Sequence, residues 1–180
     1  MSVIEVNNLT KLYKNGRGIK NVSFSVEKGD ILGLLGPNGS GKTTVMKAVS
    51  GLIRSDYGSI KVFDRPQEEH FEEIMLKTGA LIEAPAIYKD LTAYQNLCIR
   101  ARMFPDVKKE RIDHVLKTVH LDQYKNDRAG RFSLGMKQRL GLALALLTEP
   151  ELLILDEPVN GLDIEGVVEV RETIKRLSEE

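Results

Sequence analysis

Eight consecutive residues, Gly36-Pro37-Asn38-Gly39-Ser40-Gly41-Lys42-Thr43, constrain this chain more than any other stretch. Before them runs Ile31-Leu32-Gly33-Leu34-Leu35, nearly all apolar, as expected of a central strand buried on both faces. After them, Thr43 to Ser50 contains no helix breaker and is closed by Gly51. The order predicted is strand, glycine-rich loop, helix. Glycines let a backbone curl until successive N–H groups point inward, which makes a concave nest for an anion. A helix that starts at the same place adds unpaired N–H groups and the positive end of its dipole. The pattern G-x-x-x-x-G-K-[ST] therefore reads as a phosphate loop. Lys42 is placed to neutralise β- and γ-phosphates, and the Thr43 hydroxyl suits a hard cation such as Mg²⁺. Ser40 and Thr44 add hydroxyl contacts to phosphate.

A second stretch supplies acids. Leu152-Leu153-Ile154-Leu155 is a short apolar run that ends in Asp156-Glu157. Carboxylates at the C-terminal end of a parallel strand lie at the mouth of the sheet, where α/β proteins bind ligands. Asp156 is expected to hold Mg²⁺ through its water shell, and Glu157 to polarise the water that attacks a γ-phosphate.

Around these two stretches the pattern alternates. Val3 to Leu9 is rich in β-branched residues, Val22, Phe24 and Val26 alternate with serines, and Ser59 to Phe63 reads as another short strand. From Leu91 the pattern becomes helical. Thr92 and Gln95 have capping-box spacing. Ile112, Val115, Leu116 and Val119 fall on one helical face, and Ser133 to Leu147 is apolar on most sides. Ile164, Val167, Val168, Ile174 and Leu177 stripe a final helix. Lys+Arg and Asp+Glu each number 26, so no global charge draws the chain to nucleic acid or to an anionic membrane surface. The single cysteine, Cys98, excludes an intramolecular disulfide framework and a multi-cysteine zinc site. The first residues carry no basic stretch followed by a long apolar one, so neither a signal peptide nor direct membrane insertion is expected.

Between the helical segments lies Phe132-Ser133-Leu134-Gly135-Met136-Lys137-Gln138-Arg139. This resembles the signature motif of ABC-transporter ATPases. The order of phosphate loop, helical insertion, signature, acidic strand and Asn160-Gly161-Leu162-Asp163 is similar to theirs over nearly the whole chain, with Asp163 closing the stretch that resembles the D-loop. The fold implied is α/β: a P-loop NTPase (RecA-like) core with a mostly parallel sheet, an N-terminal antiparallel β part and an inserted α-helical subdomain. The division implied is 1–90 for the β part and the first part of the core, 91–148 for the helical signature subdomain, and 149–180 for the second part of the core. The resemblance implies ATP and Mg²⁺ as cofactors. It places Tyr13 where an aromatic residue stacks on adenine. It implies a head-to-tail pair with a second ATP-binding subunit, in which Ser133, Gly135 and Gln138 meet the nucleotide held by the partner. It further implies a transmembrane permease subunit as partner, no nucleic acid, and a cytoplasmic, peripheral location on the inner face of the membrane.

Two departures from the family pattern stand out. Glu83, in Gly79-Ala80-Leu81-Ile82-Glu83-Ala84-Pro85, stands where the family usually has a glutamine that touches Mg²⁺ or the attacking water. Glu83, the variant signature and Ala84-Pro85-Ala86-Ile87-Tyr88 together resemble bacitracin-resistance and lantibiotic-immunity exporters. The second departure is that the family's histidine after the D-loop has no counterpart, since His70, His114 and His120 all precede Asp156. The chain thus reads as a domain short of at least one strand, with impaired turnover and an unpaired sheet edge as the expectations. The alternatives are a repair- or translation-associated ATPase of the same type, or a nucleotide-binding fragment with little turnover. The first is disfavoured because the residues between Lys42 and Asp156 show no sustained heptads.

Overall fold

A computed structural model describes residues 2–179. Two compact units emerge: one runs up to Leu76 and takes back the residues from Ser178, and the other is Lys77–Leu177.

The first unit is built on an antiparallel sheet of order β2-β1-β3-β4. Its strands are β1 (Ser2–Leu12), β2 (Gly18–Glu27), β3 (Tyr57–Val62) and β4 (Arg65–Pro66). Val6 lies opposite Phe24 on one side and Ile60 on the other, so the β-branched run expected from Val3 onward becomes the shared central strand. One face of the sheet buries Ile4, Val6, Leu9, Ile19, Val26, Ile60 and Val62. Helix α1 (Lys42–Val49) contributes Val45, Ala48 and Val49 to the buried set, and α2 (Phe71–Leu76) contributes Ile74.

One expectation fails here. Ile31 to Leu35 is not a strand: it carries no strand assignment, and Ile31, Leu32 and Leu35 are exposed. An apolar run is buried on both faces only where neighbouring strands take up its amides and carbonyls. Among the described residues no ladder includes this segment.

The second unit holds a two-stranded parallel sheet. Strand β5 (Thr78–Leu81) pairs in register with β6 (Leu152–Leu155), so that Thr78 faces Leu152 and Leu81 faces Leu155. The mostly parallel sheet expected is represented by this pair. Its apolar core is helical: α3 (Ala93–Ala101), α4 (Lys109–Thr118) and α5 (Leu134–Leu146) bury Leu97, Ile112, Val115, Leu116, Leu140 and Leu142 together. The capping box forms as its spacing predicts: Thr92 Oγ1 accepts from the Gln95 amide at 3.1 Å and the Thr92 amide donates to Gln95 Oε1 at 2.9 Å.

Helix α6 (Ile164–Ser178) is the final helix expected. Ile164 is 88% exposed and Val168 is 49% exposed, whereas Gly166, Val170 and Thr173 are buried. At 100° per residue, positions 166, 170 and 173 define one side, and 164 and 168 lie together on another. The apolar residues of this helix therefore make two stripes, of which one faces the core. Among the described residues no helix is long and apolar enough to cross a membrane.

Candidate nucleotide site

The glycine-rich loop of the first unit is shaped by its left-handed residues. Gly39 has φ 81° and Gly41, the residue before α1, has φ 98°. A Cβ on Gly41 would meet Ile19 Cγ2 at 2.3 Å, so both conformation and space demand glycine there. No side chain caps the start of α1, whose N-terminus carries the positive end of the helix dipole. The Lys42 ammonium donates to the carbonyls of Gly36 at 2.8 Å and Pro37 at 3.0 Å, so the charge is held over the loop. At the other end of α1 the buried Gln67 amide donates to the carbonyls of Ala48 and Val49. The helix is thereby fixed at both ends, by Ile19 against Gly41 and by Gln67.

Tyr13 lies in the turn between β1 and β2, where its amide donates to Arg17 at 2.8 Å. Its side chain is 40% exposed. The same hairpin enters β2 through Gly18 and Ile19, the residues that pack on Gly41. Asp56 braces the hairpin's base by accepting from the Leu12 amide at 2.7 Å and from Lys11 Nζ at 2.8 Å. The Leu12 amide first, and Lys11 second, hold its carboxyl below the usual range.

In the second unit, the C-terminal ends of β5 and β6 bring three acids to one edge. Asp156 follows β6, is 7% exposed, and extends the ladder by donating its amide to Leu81 at 2.8 Å. Glu157 comes next and is exposed, with φ 47°. Glu83 lies just beyond β5, exposed, with φ 63°. A left-handed backbone costs a non-glycine residue roughly 1–2 kcal/mol. Both glutamates take that conformation just beyond the ends of the paired strands. The Glu157 carboxylate accepts from Asn160 Nδ2 at 3.3 Å.

Hard oxygen donors are what Mg²⁺ takes, and Thr43, Glu83 and Asp156 are of that kind. Among the described residues no cluster of three or more His, Cys, Asp or Glu forms a cage.

The signature stretch forms the start of α5. Ser133 is exposed and caps the helix, its Oγ accepting from the Met136 amide at 3.2 Å. Gly135 is buried, and a Cβ there would meet Leu162 Cδ2 at 2.8 Å. Gly161 has φ 76° and sits against Leu134 in the same way. Asp163 is exposed and caps α6, its Oδ1 accepting from the Gly166 amide at 3.0 Å. Gln138 does not share the exposure of Ser133. It is 6% exposed, and its Nε2 donates to the Glu157 carbonyl at 3.3 Å. The helical period puts it on the face of Gly135.

Two residues had no role assigned from sequence. Asn160 braces Glu157, and its position three residues downstream in a tight turn was the available signal. Asn96, 2% exposed, fixes the turn before α3 by accepting from the Tyr88 amide at 2.8 Å and donating to the carbonyls of Tyr88 at 3.1 Å and Thr92 at 2.9 Å. Nothing in its spacing announced that.

Residues 19–160 match the family model described as ABC transporter. The chain belongs to the ABC transporter family. It is 44% identical over 179 residues to the bacitracin transport ATP-binding protein BcrA of Bacillus licheniformis, covering 99% of this chain and 58% of that protein. It is 40% identical over 178 residues to the lantibiotic transport ATP-binding protein SrtF of Streptococcus pyogenes, covering 99% of this chain and 76% of that protein. A solved ATP-binding subunit of an ABC transporter matches with a TM-score of 0.87 at 28% identity, over 98% of this chain and 75% of that one. The chain thus spans somewhat more than half the length of its bacitracin-transport relative. The P-loop fold implied by the signature stretch is the fold of these ATP-binding proteins.

Proposed function

We propose that this ABC-family chain binds MgATP and is the hydrolysing part of an exporter for an antimicrobial peptide or related drug. The observation that carries the reading is the phosphate loop: left-handed glycines, an uncapped helix start and Lys42 held over the loop. Together they make a site for a triphosphate, with Ser40, Thr43 and Thr44 as hydroxyl donors and Gly36, Pro37, Asn38, Gly39 and Gly41 supplying backbone. Tyr13 gives its ring to adenine. In the first unit Thr43 would be a Mg²⁺ ligand, in the second Asp156 and Glu83 are the oxygen donors suited to Mg²⁺, and the ion would supply charge neutralisation at the phosphates. Glu157 orients and polarises the attacking water, and its side chain is braced for that by Asn160.

Ser133 presents the positive end of α5 to the nucleotide of a second ATP-binding subunit, with Gly135 keeping that end close to Leu162. Asp163 holds the D-loop turn beside it. The helical segment 91–148 is the part that carries the signature, between the two parts of the core. The export reading rests on the likeness to the bacitracin and lantibiotic transport proteins and on Glu83 with the Ala84 to Tyr88 segment. A permease is then the membrane partner, and the cytoplasmic face of the membrane the location.

Calorimetry with MgATP tests the nucleotide site. Wild type should bind tightly, and Lys42→Ala should lose at least about a hundredfold in affinity, near 2.7 kcal/mol. Equal affinity in the two proteins would sink the assignment.

A further inference from the structure

The face of α5 that begins with Gly135 carries more than a signature. Gly135, Gln138 and Arg139 are spaced i, i+3, i+4 and so lie together. Each meets the segment that follows β6. Gly135 packs on Leu162, Gln138 donates to the Glu157 carbonyl, and Arg139 Nη2 pairs with Glu169 Oε2 at 2.7 Å. From the left-handed Glu157 to the middle of α6, that segment is seated on one helix face.

Gln138 is the informative member. Burying an amide is unfavourable unless it is hydrogen-bonded, and an apolar residue of the same length would fill the volume. The Glu157 carbonyl does not need Gln138 to be satisfied, because the Asn160 amide already donates to it at 3.0 Å. The side-chain bond therefore adds something other than satisfaction. It holds the peptide of a residue whose φ of 47° is intrinsically unfavourable. With Asn160 Nδ2 on the carboxylate and Gln138 on the carbonyl, both ends of Glu157 are fixed.

We propose that Gln138 is a positioning residue for hydrolysis: it acts through the Glu157 backbone and keeps the carboxylate where it can polarise the attacking water. This rests on the reading of Glu157 as the group that does so. It assigns Gln138 to the active site of its own chain rather than to the nucleotide of a partner. One helix then begins with Ser133, offered to the partner's nucleotide, and a turn later steadies Glu157.

The test uses the full-length protein with its membrane partner, and compares Gln138→Met, Gln138→His and Glu157→Gln. Methionine keeps length and burial but has no donor. The histidine Nε2–H can stand close to the lost amide. Misplacing a reacting group by about 1 Å costs on the order of a hundredfold in rate, so Gln138→Met should lose at least about tenfold in kcat. Its affinity for MgATP and its KM should stay within about twofold, and Gln138→His should regain most of the rate. A purely structural role would instead lower melting temperature, raise KM together with the fall in kcat, and leave histidine no better than methionine. Normal kcat in Gln138→Met, with Glu157→Gln inactive, would overturn the positioning role alone. Normal turnover in Glu157→Gln would overturn the reading of Glu157, and the inference with it.

Discussion

The phosphate loop and the acid edge both use left-handed backbone, but with opposite residue types. In the loop the residues at φ 81° and 98° are Gly39 and Gly41. At the edge the residues at φ 63° and 47° are Glu83 and Glu157. The difference follows from what each region offers. The loop offers its main chain, and at these two positions glycine takes the left-handed backbone without steric strain. The edge offers carboxylates, so the side chain has to be there and the backbone carries a strain of roughly 1–2 kcal/mol per residue. One region is specified by leaving atoms out, the other by holding atoms in place against a local preference.

The largest expected effect comes from adding an atom to the loop. Gly41→Ala places a methyl 2.3 Å from Ile19 Cγ2, in a conformation that disfavours it. MgATP affinity should fall by tens of fold or more, measured by calorimetry. Gly39→Ala has open space around its Cβ, so strain acts without a clash and the loss should be smaller. Shortening Ile19 to Ala should recover part of the Gly41→Ala loss and none of the Gly39→Ala loss. Equal losses at both glycines, or no recovery, would mean the loop is not held by the hairpin as described.

At the acid edge the same logic gives the opposite sign for stability. Glu157→Gly should relieve roughly 1–2 kcal/mol of backbone strain and add about 0.5–1 kcal/mol of unfolded-state entropy. Denaturant unfolding should therefore show it equal to or slightly more stable than wild type, while hydrolysis by the full-length protein is lost. A clear destabilisation would show that the Asn160 contact to the carboxylate outweighs the strain, and that Glu157 is a structural residue first.

How much of this could be read beforehand divides along the same line. The loop was legible because its requirements are steric and local: glycine spacing, a lysine and a breaker-free segment state them directly. The capping box at Thr92 and the stripe of Ile112, Val115, Leu116 and Val119 were legible for the same reason, since each depends on positions within one helix. The run Ile31 to Leu35 was misread because an apolar composition states a need for partners without supplying them. A stripe of apolar residues on α6 does not say which of them meet the core: Ile164 and Val168 face away from it. The bracing of Glu157 by Gln138 crosses from a helix to a loop far along the chain, and no local period carries that information.

The smallest effect is expected at Glu83, and it separates the two acids of the edge. Glu83 and Glu157 share the left-handed backbone, but Glu157 has Asn160 on its carboxylate and its carbonyl held from α5. On the proposed reading, Glu157→Gln removes the group that polarises the attacking water. Glu83→Gln keeps an oxygen donor of the same reach and loses only the charge, so its effect should appear where charge matters, in the affinity for Mg²⁺. In the full-length protein, the Mg²⁺ concentration for half-maximal turnover should rise by about threefold, well under 1 kcal/mol, with the rate at saturating Mg²⁺ unchanged. A fall in that saturated rate would place Glu83 beside Glu157 in the chemistry rather than at the metal. No change in the Mg²⁺ requirement would make it a tolerated acid on a turn that only its backbone shares with the active edge.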